Sequence, residues 1–266
     1  MIDKYKAAMV LCGTGDAIGY KNGDWEFSRI DKILEDLEKL GGIDALQIQP
    51  PEFIVSDDTV MHNATARGLV TEAENIDKLF QNIHTQYCKC MKDMRGRAPG
   101  TTCTKFLGTA FENQSWKSTP FNQFGGGCGA AMRSMCIGLA FPKEEQLSNL
   151  VIVAVESGRM SHHCAMGYMG SVVGAAFTSF ALQGIPAVQW GARIRDVVIP
   201  MAKQHVTLTK DRQPQENLES FEQFEKQFIR YLTQTKITNP TAETKPFFLE
   251  KYGYKERDDY YNRNSY

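Results

Sequence analysis

The sequence lacks an excess of charge of either sign: 30 Lys and Arg stand against 31 Asp and Glu, for a formal net charge of -1. With no basic tract or stripe, neither nucleic acid nor an anionic membrane is expected as a partner. A long apolar run is also missing from the N-terminus. The stretch that opens with Met1-Ile2-Asp3-Lys4-Tyr5-Lys6 is broken by Gly13, Gly15 and Asp16, which suits neither a signal peptide nor a membrane span. There is no C-x-x-C pair. The seven cysteines, Cys12, Cys88, Cys90, Cys103, Cys128, Cys136 and Cys164, are odd in number and sit in irregular contexts. Cys88-Lys89-Cys90 falls in a helical pattern and reads as packed thiols, so a reducing, cytoplasmic compartment is expected.

Further absences narrow the fold and the chemistry. No segment sustains period-two alternation of β-branched residues, which argues against sheets and for an all-α domain. Gly13-Thr14-Gly15-Asp16 has no preceding strand pattern and no following Gly-Lys-Ser/Thr, so it is not a phosphate loop. The early glycines are expected to permit close helix packing or to bring Asp16 near a site. Ser157 and His162 suggest a nucleophilic pair only loosely, since there is no Gly-x-Ser-x-Gly elbow and no evident orienting acid.

What the chain does have is apolar residues at helical spacing. The 266 residues suffice for one large domain, and no repeat or clear linker precedes residue 206. Helices are predicted from about Lys4 to Leu11, and from a Ser28 cap through Ile30, Ile33, Leu34, Leu37 and Leu40 to Gly41-Gly42. Others are predicted over Val60 to Ala73, Ile76 to Met94, Glu144 to Val155, Gly167 to Gln183 and Glu216 to Thr233. A helix over Val188 to His205 must be kinked or divided at Pro200. The aromatic stripe Phe221, Phe224, Phe228 is read as core. Residues 239–266 have no strong period and are expected to be loosely packed.

Two stretches carry chemistry. In Phe53-Ile54-Val55-Ser56-Asp57-Asp58-Thr59-Val60, adjacent carboxylates and hydroxyls interrupt an apolar run. Ser56 can cap a helix whose first turn holds Asp57 and Asp58, where the helix dipole favours negative charge. The same oxygen donors suit a hard cation such as Mg²⁺ and would fill at most half of its coordination sphere. Both readings stand. The second stretch, Gly125-Gly126-Gly127-Cys128-Gly129, leads into an apolar helical pattern and could present backbone N–H groups to a phosphate. His162 and His163 follow a glycine break, and one is expected to face inward and the other outward.

Taken together and in order, Gly15-Asp16-Ala17-Ile18-Gly19, Trp25-Glu26-Phe27, Ser56-Asp57-Asp58-Thr59-Val60-Met61-His62, Gly96-Arg97-Ala98-Pro99-Gly100, Pro120-Phe121-Asn122, Gly126-Gly127-Cys128-Gly129-Ala130-Ala131-Met132-Arg133, Glu156-Ser157-Gly158-Arg159-Met160-Ser161-His162-His163 and Gln189-Trp190-Gly191 resemble the ADP-ribosylglycohydrolase family, in particular its ADP-ribosylarginine hydrolase branch. The resemblance extends to about Arg257. It implies an orthogonal helix bundle with a two-magnesium site that cleaves the N-glycosidic bond between ADP-ribose and an arginine guanidinium on modified proteins. It further implies Ser56, Asp57 and Asp58 as metal ligands, and Asp57, Asp58 and Glu26 as catalytic residues, Glu26 on an active-site loop. Gly126, Gly127, Cys128, Gly129 and His162 are implied to bind substrate.

One departure stands beside these matches. The family's later Gly-His-Asp and Asp-x-Asp-Ser/Thr segments have no counterpart after Asp58, and Asp258-Asp259-Tyr260 does not fit. Half of the metal site and some covering helices are therefore expected to be missing, from a single domain incomplete at its C-terminus. The alternative is a catalytically inactive ADP-ribose-binding or assembly protein. A monomer is expected.

Overall fold

The computed structural model describes residues 2–241, 243–245 and 259, and among these the regular structure is entirely helical. The expectation of a loosely packed 239–266 falls mostly outside the described residues. The helices are α1 (Ile2–Tyr20), α2 (Ile30–Lys39), α3 (Asp57–Val70), α4 (Ile76–Cys90), α5 (Thr101–Leu107), α6 (Met135–Ala140), α7 (Leu147–Arg159), α8 (Ala165–Gln183), α9 (Ala187–Arg193), α10 (Ile199–Leu208) and α11 (Pro214–Gln234).

The bundle is built around α8, which packs against α6, α7 and α11. Its nineteen residues are long and apolar enough to cross a membrane. Here Val172, Ala175, Ala176 and Phe180 are instead wholly buried among neighbouring helices. The α7–α8 crossing depends on Gly158, because a Cβ there would lie 2.6 Å from Cβ of Tyr168. On the far side of α8, Phe221 of α11 meets Tyr168 edge-on at 5.9 Å, so this part of the predicted stripe is core. Phe224 and Phe228 stack at 5.7 Å and pack against the core while partly buried. An apolar groove of about 490 Å³ runs between α8, α9 and α11.

Several boundaries differ from the sequence reading. Helix α1 continues through Gly13, Gly15 and Gly19 instead of fading at Leu11, and Gly13 faces Thr59 of α3, where a Cβ would make an ordinary contact at 3.5 Å. Ser28 does not cap α2. Arg29 occupies the cap, while the Ser28 hydroxyl donates back to the carbonyl of Asp24, a local bond open to any serine one turn after a free carbonyl. Pro200 does divide its helix: a π-helical turn, Ile194–Val198, joins α9 to α10, and the proline falls in the first turn of α10. Proline is tolerated there because it has no N–H to leave unpaired.

A candidate active site between the acidic helix start and the glycine-rich loop

The N-terminus of α3 is held from two sides. Ser56 is its N-cap and accepts a hydrogen bond from the Asp58 N–H at 3.1 Å. Asp16, projecting from α1, accepts from the N–H groups of Ser56 at 3.0 Å and Thr59 at 3.2 Å, and from the Thr59 hydroxyl at 2.5 Å. These bonds satisfy amide groups that a helix start leaves orphaned. They leave the carboxylates of Asp57 and Asp58 free to face a cleft. His62, one turn further along, is buried and accepts from the Cys136 N–H at 2.9 Å, which ties α3 to α6.

The cleft has a volume of about 280 Å³. Glu26, Asp57 and Asp58 lie on one side, Gly127, Cys128 and Gly129 on the other, with His162 and Cys103 also in its lining. Seven of the sequence-predicted residues are thus brought together. Two are not: Ser56 is buried in its capping role, and Gly126 is turned toward Met166 behind the loop. Glu26 is carried by an anchored loop. Trp25 is buried against Phe53, edge to face at 6.2 Å, with Lys21 over its ring at 4.8 Å. The neighbouring Phe27 is 76% exposed on the rim.

The electrostatics of the cleft are one-sided. Burial, and then the charge of Asp58, push the Asp57 carboxyl up to about 7, although the Gly100 backbone N–H partly offsets this. Burial, then Asp16 and Glu26, push Asp58 up to about 6. Glu26 is also raised, by burial and by Asp16. No Lys or Arg is among the lining residues. Like charges gathered in a partly desolvated site call for a cation. Hard oxygen donors match Mg²⁺ in kind. In number they fall short, since no group of three or more His, Cys, Asp or Glu is placed to hold an ion among the described residues.

The glycine-rich loop departs from its predicted form. It enters a single 3₁₀ turn, Cys128–Ala130, and α6 begins only at Met135. The aligned peptide dipoles of a long helix are therefore absent, and any anion binding rests on the loop's own N–H groups. Gly129 is fixed by space: a Cβ would lie 2.6 Å from Cε1 of His162 and 2.7 Å from Sγ of Cys103. The histidine pair departs too. Both rings are buried: the pair follows α7 rather than lying on it, and each ring has its own polar partners. His162 faces the cleft. His163 accepts from Arg159 Nε at 3.0 Å, and its Nδ1 donates to the Thr119 carbonyl at 2.9 Å.

Beneath α7 lies a buried ion network that the sequence reading did not single out. Glu156 accepts from Arg159 at 2.9 Å, His205 at 2.7 Å and Arg212 at 3.1 Å. Desolvation opposes ionisation of Glu156, yet these partners outweigh it and hold the carboxyl down at about 2. Its signal in the sequence was Glu156 and Arg159 at (i, i+3) within an otherwise apolar helix.

The ADP-ribosylglycohydrolase family model matches residues 1–252. ADP-ribosylhydrolase ARH1 of Dictyostelium discoideum is 34% identical over 287 aligned positions, covering 99% of this chain and 73% of that protein. A putative ADP-ribosyl glycohydrolase, L444, of Acanthamoeba polyphaga mimivirus is 32% identical, covering 67% of this chain and 38% of its own length. ADP-ribosylhydrolase ARH3 of Xenopus tropicalis is 31% identical over 48% of this chain and 37% of its own length. An acidic helix start set against a glycine-rich loop in an all-helical bundle, together with a match over residues 1–252, makes this chain a member of the ADP-ribosylglycohydrolase family.

Proposed function

We propose that the cleft hydrolyses the N-glycosidic bond between ADP-ribose and arginine on modified proteins, with magnesium assistance. The observation that carries this reading is the gathering of Glu26, Asp57 and Asp58 in one cleft without a cationic side chain, opposite Gly127, Cys128 and Gly129. Such a surface suits a cation and a cationic leaving group at one end and the diphosphate of ADP-ribose at the other. Asp57 and Asp58, which line the cleft, would hold Mg²⁺, a hard ion suited to their oxygens, while Ser56 keeps its capping role. When bound, the ion supplies Lewis-acid polarisation of ribose hydroxyls or of a water.

The remaining roles belong to this chain's own groups. Backbone N–H groups of Gly127, Cys128 and Gly129 orient the diphosphate. Glu26, whose proton affinity is raised by burial and Asp16, is suited to hold or pass a proton at the departing guanidine. Asp57 faces the same cleft and is placed to orient the attacking water. Positioning of this kind supports an oxocarbenium-like transition state, as two carboxylates do in other glycosidases. The same proposal places the protein in the cytoplasm as a monomer acting on ADP-ribosylated proteins, in keeping with its free thiols.

A second reading, binding of ADP-ribose without turnover, is favoured by the short ligand set among the described residues. Incubation with ADP-ribosylated arginine, with and without Mg²⁺, separates the two. Magnesium-dependent release of ADP-ribose is expected. Calorimetric binding without release would establish the second reading, and neither binding nor release would remove both.

A further inference from the structure

Arg133 is fully buried, and no carboxylate pairs with it among the described residues. Its Nη2 donates to the Ser157 carbonyl at 2.7 Å and to the Ser161 hydroxyl oxygen at 2.8 Å. Its Nη1 points to the sulfur of Cys103 at 3.9 Å, and its guanidinium carbon lies 4.1 Å above the centre of the Tyr87 ring. Its Nε has no partner. A buried charge held without a counter-ion is costly unless something else requires it.

The requirement becomes visible one bond further on. A guanidinium has only donors, so the Ser161 oxygen must accept from Arg133. One hydroxyl proton remains. His162 Nδ1 lies 2.9 Å from that oxygen and is a far better acceptor than the neighbouring thiol sulfur of Cys103. The proton therefore goes to Nδ1, which makes Nδ1 the acceptor and leaves the ring proton on Nε2. Nε2 looks toward the glycine loop: a Cβ on Gly127 would lie 3.5 Å from it and one on Gly129 3.1 Å. Glycine at both positions leaves this N–H open to the cleft.

We propose that Arg133 and Ser161 are positioning residues which fix His162 as a permanent Nε2–H donor to an anionic oxygen of the ligand. Identification of that oxygen with the diphosphate of ADP-ribose rests on the proposed function; the fixed tautomer does not. Burial and the Arg133 charge also depress the His162 pKa to about 3, so the ring donates a hydrogen bond without serving as a general acid near neutrality. The unpaired guanidinium adds a positive pole behind the floor of an otherwise acidic cleft, where the low dielectric preserves its effect.

Histidine side-chain ¹⁵N spectra of the full chain between pH 5 and 8 test the proposal. His162 is expected to show a protonated Nε2 and a bare Nδ1, with no titration. His163 should show the opposite pattern in the same spectrum, because its Nδ1 donates to Thr119. Ser161→Ala should release the His162 tautomer and weaken ADP-ribose binding about tenfold by calorimetry. The His163 pattern should remain unchanged and report an intact fold. Arg133→Met should have the same effect on His162, and if it fails to fold Ser161→Ala still decides. An Nδ1–H tautomer or an imidazolium at His162 in the parent protein overturns the proposal, as does a Ser161→Ala protein with unchanged tautomer and affinity. If the parent protein binds no ADP-ribose, the functional reading fails while the spectra still decide the positioning role.

Discussion

Two buried carboxylates of this bundle, Glu156 and Asp57, have surroundings of opposite character. Glu156 is ringed by Arg159, Arg212 and His205 and is held down at about 2, while Asp57 faces Asp58 and Glu26 and is pushed up to about 7. Burial acts on both in the same direction. The sign of the result is set by the charge of the neighbours. The first cluster joins α7 to α10 and to the turn before α11, and its carboxylate is matched by two guanidinium groups. The second leaves its charge uncompensated at a cleft, an arrangement that favours binding and chemistry over stability.

The contrast can be broken most directly at Glu156. Glu156→Gln would leave Arg159 and Arg212 buried beside a neutral group, and urea unfolding should show a loss of about 3–5 kcal/mol. A loss below about 1 kcal/mol would show that the network is not structural. Asp57→Asn should do the reverse. ADP-ribose release should fall at least about a hundredfold, while stability at neutral pH should hold or rise by about 1 kcal/mol because a repelled charge is removed. Saturating Mg²⁺ should raise the thermal midpoint of the parent protein, with about 2.7 kcal/mol of stabilisation at a hundredfold excess over Kd. The Asp57→Asn, Asp58→Asn double variant should lose most of that rise.

The pH dependence has two arms of opposite sign. Glu156 falls from an ordinary 4.5 to about 2 and His163 from 6.5 to about 3, so in this region the unfolded chain binds more protons. Its stabilisation is complete above about pH 6.5 and is lost as the pH falls toward 2. Asp57 and Asp58 rise from 3.8 to about 7 and about 6, so in the cleft the folded chain binds more protons. Stability from this source therefore declines as the pH rises from about 4 to 7 without a bound cation. Thermal midpoints across pH 3 to 8 should show a maximum in mildly acidic solution. The Asp57→Asn, Asp58→Asn protein should lose only the decline on the neutral side.

Much of the site was legible because its signals are local. Ser56 before two acids reads as a cap, and the cap is formed, since a helix start needs acceptors for its free N–H groups whatever surrounds it. Other parts depend on distant partners. From sequence, the early glycines either permit close helix packing or bring Asp16 near a site, and only the packing of α1 on α3 makes Asp16 a second acceptor for the same helix start. The glycine-rich loop was visible from composition. Its short 3₁₀ ending was not, because the chain turns away where Arg133 enters the core.

By itself the sequence determined the helical class, from apolar spacing without strand alternation, and the positions of the acidic and glycine-rich stretches. Tertiary structure alone decided which groups face one another across the bundle. It placed two adjacent histidines on separate networks, gave Glu156 its cations and left Asp57 without any. The physical reason is range. Caps and periodicity are fixed within a turn of helix, whereas desolvation and Coulomb interaction act between residues that only packing brings together.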